Sequence, residues 1–263
     1  MKKFTRIIAL VLSLVLVVSC FAGCAGSKGK EVASADDLPG ARIGVQLGTT
    51  GDIYASDYEA EGSELKRFSK GADAVMALAS GKLDCVIIDN EPAKAFVAAN
   101  EGLKILDDPF EVEDYAIAFA KENTELKKEV NGALKDLIAD GTVESIIKNF
   151  IGDDTKGKSP YTPKEVKTKG KLVMGTNAAF EPYEYVEDGK VVGIDASIAQ
   201  AICDKLGYEL EIKDMEFDSL LTAVSTGKID FVMAGMTVTE ERLKEVNFSD
   251  PYTTATQVII VKE

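Results

Sequence analysis

The feature that most constrains the fold of this chain is an internal repeat. Residues 75–92 read VMALASGKLDCVIIDNEP, and residues 221–238 read LTAVSTGKIDFVMAGMTV. Each copy has helical periodicity up to a Gly-Lys pair at Gly81 or Gly227, then a short apolar strand that opens with aspartate, and then a loop. The repeat therefore predicts two halves built on the same plan.

A second pair of matching segments precedes these copies. ARIGVQLGTTG at 41–51 and GKLVMGTNAAF at 170–180 are both predicted strands that run into loops of glycine, threonine and asparagine. Strands that alternate with helices indicate parallel sheets with helices on their faces. Because ligands of such sheets bind beyond the carboxyl ends of the strands, a ligand between the two halves would touch all four loops. The repeat predicts a cleft.

Composition excludes several function classes. The chain of 263 residues is 46% hydrophobic and 28% charged, which is enough to bury a sizeable core in two modest lobes. It contains no histidine and no tryptophan, so histidine-based acid–base chemistry, Ser-His-Asp triads and histidine-ligated metals are excluded. The net charge of −14 argues against nucleic acid and against an anionic membrane surface. We expect no catalytic residue, no cofactor and no metal.

The N-terminus is typical of an export signal. Three basic residues precede the apolar run 7–18, which falls short of the roughly 20 residues that span a bilayer. The following FAGC resembles the lipobox of bacterial lipoproteins, with Cys24 as the lipidated residue; Cys20 is a second possible site, and an ordinary cleaved signal is the alternative. Removal of 1–23 takes away three positive charges and no acidic residue, so the net charge becomes −17. We expect an extracytoplasmic protein held on the cell membrane by a lipid anchor.

Two further segments carry structural predictions. Cys85 and Cys203 fall in an apolar strand and in a helix, where buried free thiols are favoured over a disulfide. The polar, Gly-, Pro- and Lys-rich stretch 152–171 is predicted to be a linker. Between 125 and 150, two helical stripes are predicted on either side of Asp140-Gly141. Their members are Leu126, Val130, Leu134, Leu137 and Ile138, and then Val143, Ile146, Ile147 and Phe150.

Longer motifs carry a family resemblance. GKLVMGTNAAFEPYEYVEDGKVVGIDASIAQAICDKLG and FDSLLTAVSTGKIDFVMAGMTVTEERLKEVNFSDPY closely resemble the first half of polar amino-acid-binding proteins of bacterial ABC importers, the extracellular solute-binding family 3. ARIGVQLGTTG, GKLDCVIIDNEPA and the helical segment up to NFIG resemble the second half of the same family. The two halves are exchanged in order here, which looks like a circular permutation. The resemblance implies an α/β, two-lobed periplasmic-binding-protein type II fold.

The resemblance also implies a division of the chain. In relatives two strands cross between the lobes, and we expect their counterparts at 115–120 and 257–263 to pair side by side as the hinge. The predicted parts are a signal peptide (1–23), a tether (24–37), lobe two (38–114), a crossover hinge (115–119), lobe one (120–151 and 171–256), a permutation linker (152–170) and a second hinge strand (257–263).

A free amino acid presents a carboxylate and an ammonium group, so its binder needs donors opposite an acceptor cluster. Arg242 can give a bidentate guanidinium to the carboxylate, and Thr237 a hydroxyl and a backbone N–H. Thr49 and Thr50, where a helix is predicted to begin, could add N–H donors from the other lobe. The alternative is that Thr237 or Thr239 only caps a helix and that Arg242 is a solvated helix residue.

The acceptor side is predicted at the end of an apolar strand. Asp89 stands there, where a lone carboxylate is costly unless it is paired. In the resembled family the matching aspartate takes the ligand ammonium, helped by the carbonyl at the Gly235 position. The alternative is a turn or cap residue before Pro92. Asp84 and Asp230, at strand starts, are interpreted as structural.

The resemblance assigns contacts with the ligand side chain to five more positions. Phe180 and Phe217 match aromatic positions that sandwich it, although phenylalanine is more often a core residue. Gln46, Asn177 and Glu184 match positions that tune side-chain choice. Asn177 is neutral where some relatives carry an aspartate, while Glu184 keeps a cationic ligand possible. We expect a polar uncharged or basic L-amino acid rather than an acidic one.

The function implied is capture of the amino acid by lobe closure and delivery to a membrane permease, by a monomer that binds no nucleic acid. One alternative is an enzyme similar to periplasmic cyclohexadienyl dehydratases, with Glu184 as the acid, but no second catalytic group is apparent. Another is a sensor module that acts through a separate signalling partner.

Overall fold

The computed structural model describes residues 29–152, 154–165 and 167–263. The predicted signal, Cys20 and Cys24 lie outside these residues. The helices are α1 (Thr50–Asp57), α2 (Gly71–Ala79), α3 (Asn90–Ala99), α4 (Thr124–Ala139), α5 (Thr142–Phe150), α6 (Ile194–Leu206), α7 (Leu220–Ser225) and α8 (Arg242–Glu245). The strands are β1 (Arg42–Gln46), β2 (Glu64–Phe68), β3 (Cys85–Asp89), β4 (Leu103–Ile105), β5 (Glu111–Ala120), β6 (Lys171–Thr176), β7 (Ala179–Phe180), β8 (Glu184–Glu187), β9 (Lys190–Val192), β10 (Glu209–Asp214), β11 (Phe231–Val232) and β12 (Val246–Lys262).

The main sheet has two parallel wings joined by an antiparallel centre. Its order is β10-β6-β11-β5-β12-β3-β1-β2, with β4 paired to β12 beside this path. Strands β10, β6 and β11 are parallel to one another, and so are β2, β1 and β3. Each wing contains one copy of the repeat, and helices follow its strands, as the alternation of strands and helices predicted. The mixed α/β fold is confirmed.

The two long strands β5 and β12 hold the wings together, but not in the predicted register. The segment opposite β5 is 246–257, with Val246 facing Ala120 and Gln257 facing Glu111. Residues 257–262 instead pair with β3 and β4 inside the sheet of the second wing. The predicted pairing of 257–263 with 115–120 is therefore wrong, because β12 is one continuous strand of 17 residues whose end is an internal strand of that wing.

The repeat extends to hydrogen-bond detail at the strand starts. Asp84 accepts a bond from the main-chain N–H of Arg42 at 2.8 Å and pairs with the guanidinium of Arg42. At the equivalent place, Asp230 accepts from the main-chain N–H of Val173 at 2.6 Å. Each aspartate thus fixes the start of its own strand against the neighbouring strand. The structural interpretation of Asp84 and Asp230 is confirmed.

The predicted linker has no helix or strand among its described residues up to Gly170, and Lys171 begins β6. Buried polar side chains nevertheless hold the linker in place. Asn149 accepts a bond from the N–H of Ser159 at 2.8 Å. Asp204, on α6, accepts from the hydroxyl of Tyr161 and from the N–H of Lys164, both at 2.8 Å. The segment between α5 and β6 is therefore fixed to the helices it passes.

The core agrees with most of the apolar pattern. Val130, Leu134 and Leu137 of α4 are buried, whereas Ile138 is 43% exposed and was wrongly placed in the stripe. Cys85 and Cys203 are buried and unpaired, as predicted. Within the described ranges, no helix is both long enough and apolar enough to cross a membrane.

Candidate functional site

The loops at the carboxyl ends of the parallel strands enclose one buried cavity. All eleven residues predicted from the sequence line it, and Ala234 is the one lining residue that was not predicted. The eleven predicted residues come from both wings of the sheet, as the repeat predicted. They are Gln46, Thr49, Thr50, Asp89, Asn177, Phe180, Glu184, Phe217, Gly235, Thr237 and Arg242. The arrangement brings donors, acceptors and aromatic rings to one place.

Arg242 supplies the cation of the cavity. Its side chain is buried, so the solvated-helix alternative is wrong. The guanidinium donates to the carbonyl of Thr237 at 2.8 Å and to the carbonyl of Gly48, from the other wing, at 3.0 Å. It lies 5.5 Å from the ring centre of Phe217, within the range of a cation–π contact. Burial lowers the pKa of Arg242, so a carboxylate placed beside it would be strongly favoured.

Two threonine pairs surround this cation. Thr49 caps α1, since its side chain accepts a bond from the N–H of Asp52, and Thr50 is the first residue of that helix. Helix α1 therefore begins at the cavity and directs free N–H groups towards it. On the other side, Thr239 accepts from the N–H of Arg242 at 3.1 Å, whereas Thr237 gives its hydroxyl to Glu113. The capping role belongs to Thr239.

Asp89 is the acceptor at the end of β3. It is buried and receives a hydrogen bond from the hydroxyl of Tyr115. It stands at the N-cap position of α3 but makes no capping bond with its side chain, so its carboxylate is not used as a cap. Burial, with the nearby negative charge of Glu113, raises the pKa of Asp89 to about 7. A cation at this position would favour the ionised carboxylate.

Glu113 and Gln257, on the central strands, bond to threonines that line the cavity, and sequence analysis missed both. Glu113, on β5, accepts from Thr237 at 2.9 Å and from the amide of Gln257 at 3.2 Å. Gln257, on β12, also donates to the hydroxyl of Thr50 at 3.2 Å. One signal was available for Glu113: it has the same strand parity as the buried Tyr115. For Gln257, the only signal in the sequence was a polar residue that precedes an apolar run.

The amides of Gln46 and Asn177 meet across the cavity. Gln46 donates to the side-chain oxygen of Asn177 at 2.9 Å and to the carbonyl of Ser69 at 3.1 Å. Asn177 in turn donates to the carbonyl of Met215 at 2.9 Å. This contact and the Arg242–Gly48 bond are the polar links from one wing to the other at the site.

The aromatic part of the cavity is rigid on one side. Phe180 is buried and stacks on Tyr183 with ring centres 6.0 Å apart. A Cβ added at Gly235 would lie 3.0 Å from Phe180 and 3.1 Å from Tyr115, and Gly235 has a φ of 52°. Glycine is therefore required both for space and for backbone conformation. Phe217 is only partly buried, in a short 3-10 turn before α7.

Glu184 completes the lining with a second buried acid behind it. Glu184 is 1% exposed, and Asp195 on α6 is fully buried. Burial and the proximity of Asp195 raise the pKa of Glu184 well above its ordinary value. Burial also raises the pKa of Asp195, to about 6, although donors oppose this shift. Sequence analysis did not single out Asp195.

Comparison with known proteins agrees with this geometry. Residues 172–263 match the family model of bacterial extracellular solute-binding proteins, family 3. This part of the chain is similar to that family. The match includes seven of the eleven predicted cavity residues, namely Asn177, Phe180, Glu184, Phe217, Gly235, Thr237 and Arg242.

Individual relatives match the same share of the chain. The arginine-binding extracellular protein ArtP of Bacillus subtilis is 48% identical over 36% of this chain and 37% of its own length. The probable arginine-binding protein ArtJ of Chlamydia trachomatis is 42% identical over 29% and 30%. An ancestral arginine-binding protein solved with arginine is 50% identical over 33% of this chain and 38% of its own, with a TM-score of 0.32. The chain thus spans about a third of the length of these relatives.

Proposed function

We propose that this chain is the amino-acid-binding protein of an ABC importer and captures a polar, uncharged or basic L-amino acid. The observation that carries the proposal is the cavity itself. A buried guanidinium, Arg242, the first residues of α1 and a buried carboxylate, Asp89, all line it. A zwitterion places its carboxylate against these donors and its ammonium group against the carboxylate of Asp89.

The charges around the cavity favour a neutral or basic side chain. Glu184 lines the cavity, with Asp195 behind it, while Arg242 is the only basic residue among its lining residues. A third carboxylate, on the ligand side chain, would face these acids without a cation to pair with. The relatives named for arginine make L-arginine the first ligand to test.

The mechanism we propose is closure of two lobes, 38–114 and 120–256, around the ligand. Ligand contacts come from both wings of the sheet, so only the closed arrangement makes all of them. A membrane permease would then recognise the closed form. We propose a monomer that carries out no chemistry itself and is anchored by a lipid on Cys24.

The same proposal includes a circular permutation. The segment that matches family 3 ends the chain, and the segments 41–51 and 81–93, which resemble the other half of the family, precede it. Residues 152–170 would then join the ancestral C-terminus to the ancestral N-terminus, and Asp204 would hold this junction in place.

Thermal unfolding tests the function. The domain from Ala25 onward would be unfolded, stripped of carried-over ligand, refolded and heated with each amino acid and with prephenate and arogenate. A ligand at 100 times its dissociation constant should stabilise the protein by about 2.7 kcal/mol, a shift of a few degrees. A shift with one or a few polar amino acids supports the proposal. Turnover of prephenate or arogenate would favour the dehydratase alternative. If no amino acid shifts the midpoint, both the proposed ligand class and the proposed closure of the lobes are contradicted.

A further inference from the structure

Two buried acids lie next to each other at the side-chain end of the cavity. Glu184 belongs to β8 and lines the cavity, and Asp195 stands in the first turn of α6 behind it. Asp195 is the charged group that acts most strongly on Glu184, and each acid has one buried carboxyl oxygen that no donor of the described residues reaches. Two carboxylates in contact in a water-poor site cannot both ionise at low cost, so such a pair retains one proton.

The hydrogen bonds around the pair show which acid keeps the charge. Oδ2 of Asp195 accepts from the N–H of Gly235 and from the hydroxyl of Tyr252, both at 2.9 Å. Oδ1 of Asp195 and Oε2 of Glu184 are buried, and no donor of the described residues reaches either atom. Two donors stabilise the negative charge of Asp195 and none stabilises that of Glu184. The proton therefore resides on Glu184, which donates it to Asp195.

Acidic groups dominate the surroundings of the pair. The charged groups that act most strongly on Glu184 are Asp195 of α6, Asp89 at the end of β3 and Asp214 at the end of β10, and all three are acidic. The other titratable neighbours are the hydroxyls of Tyr183 and Tyr252, which stay neutral because burial raises the pKa of each. A positive ligand side chain would place a cation beside this group of acids.

We propose that Asp195 is a specificity-determining residue, which keeps one proton on Glu184 until a cationic ligand side chain displaces it. When the cation binds, the O–H bond of Glu184 breaks and its electron pair stays on the carboxylate. The proton passes to solvent as the ligand cation pairs with that carboxylate. A neutral side chain leaves the proton on Glu184 and releases nothing. This inference rests on the proposed amino-acid-binding function.

The two forms of Glu184 select different ligands. L-arginine and L-citrulline have nearly the same shape, but only arginine carries a charge on its side chain. Because arginine binding releases one more proton, its affinity relative to citrulline should rise with pH, by up to about tenfold per unit while Glu184 is protonated in the free protein. Effects of Asp89 on the ammonium group are common to both ligands and cancel in the ratio.

Calorimetry measures both the affinity ratio and the proton release. Titrations of the mature protein with L-arginine and with L-citrulline, between pH 6 and 8 and in buffers of different ionisation enthalpy, give both the affinity ratio and the protons released. We expect arginine to release close to one proton more than citrulline. Equal proton release with a flat affinity ratio would overturn the inference while leaving amino-acid binding intact.

Variants distinguish control of the Glu184 proton by Asp195 from a purely structural role of Asp195. In Asp195→Asn, the amide oxygen can keep the bonds from Gly235 and Tyr252, and the amide nitrogen takes the place of Oδ1 and donates to an ionised Glu184. We expect the extra proton and the pH slope to disappear. Glu184→Gln should lose the slope and the preference for arginine. Asp204→Asn is the matched control, the same change at another buried position of α6, and should keep the slope.

One measurement needs no ligand. In ligand-free protein labelled with ¹³C at the glutamate side-chain carboxyl, one signal, absent in Glu184→Gln, should titrate far above the ordinary glutamate pKa of about 4.3 and move down in Asp195→Asn. A Glu184 signal with an ordinary midpoint would overturn the inference. If neither L-arginine nor L-citrulline binds, the choice of ligand fails rather than the inference about the proton, and this titration alone decides where the proton is.

Discussion

The end of β12 is an internal strand, and its removal should abolish folding rather than loosen a hinge. Residues 258–261 pair with β3 on one side, and 260–262 pair with β4. The four side chains Val258, Ile259, Ile260 and Val261 are each no more than 4% exposed. Burial of one such side chain contributes about 1.5–3 kcal/mol, so the four together contribute about 6–12 kcal/mol. The whole stability of a domain is about 5–15 kcal/mol.

Deletion of 258–263 is therefore expected to give no cooperative unfolding transition in urea. A graded version is Ile260→Ala, at a fully buried position, which should lower the free energy of unfolding by about 2–5 kcal/mol. Deletion of the exposed Glu263 alone is the control and should change little. A protein lacking 258–263 that still unfolds cooperatively with a near-normal midpoint would refute the reasoning.

Three further predictions follow from single side chains. Arg242→Lys keeps the charge but not the planar fork, and it should weaken ligand binding by roughly ten- to a hundredfold, measured by calorimetry. Asp204→Ala removes the acceptor for Tyr161 and should lower the free energy of unfolding by about 2–4 kcal/mol, whereas Asp204→Asn keeps an acceptor and should cost much less. Burial raises the pKa of Asp89 to about 7 and that of Asp195 to about 6, above the unfolded values near 4, so their stabilisation is complete below pH 4 and is lost as pH rises to about 7. Thermal midpoints of the ligand-free protein should fall over this range, and less so in Asp195→Asn; equal slopes would contradict the assigned cause.

Local patterns in the sequence were sufficient for much of the fold. The Gly-Lys-x-Asp repeat placed α2 before β3 and α7 before β11, and it identified Asp84 and Asp230 as structural. Both lie at strand starts, where a carboxylate can fix the neighbouring main chain. Ile138 was misplaced because helical spacing alone does not set the width of the packed face. That face is centred on Leu134, and Ile138 lies at its exposed edge.

The residues that sequence analysis missed depend on contacts between distant segments. Glu113 bonds to Thr237 only because β5 pairs with β12, and Gln257 bonds to Thr50 only because β12 continues into the second wing. Asp195 could not be identified from the sequence, because an acidic residue in a first helical turn is common. It stands out only through its hydrogen bonds from Gly235 and Tyr252, which lie 40 and 57 residues away along the chain. Local periodicity carries no information about such partners.

The buried charges of the cavity explain why an entire amino acid suits it better than either end alone. Arg242 is buried, and its bonds go to carbonyl groups rather than to a carboxylate, while Asp89 is bonded to the hydroxyl of Tyr115. Each charge is thus hydrogen-bonded without a counter-ion in direct contact, an arrangement that leaves part of its burial cost uncompensated. An α-amino carboxylate supplies both counter-ions at a fixed separation. An amine without the carboxylate, or an acid without the ammonium group, relieves only one of the two costs, so the site selects for the zwitterion before it discriminates between side chains.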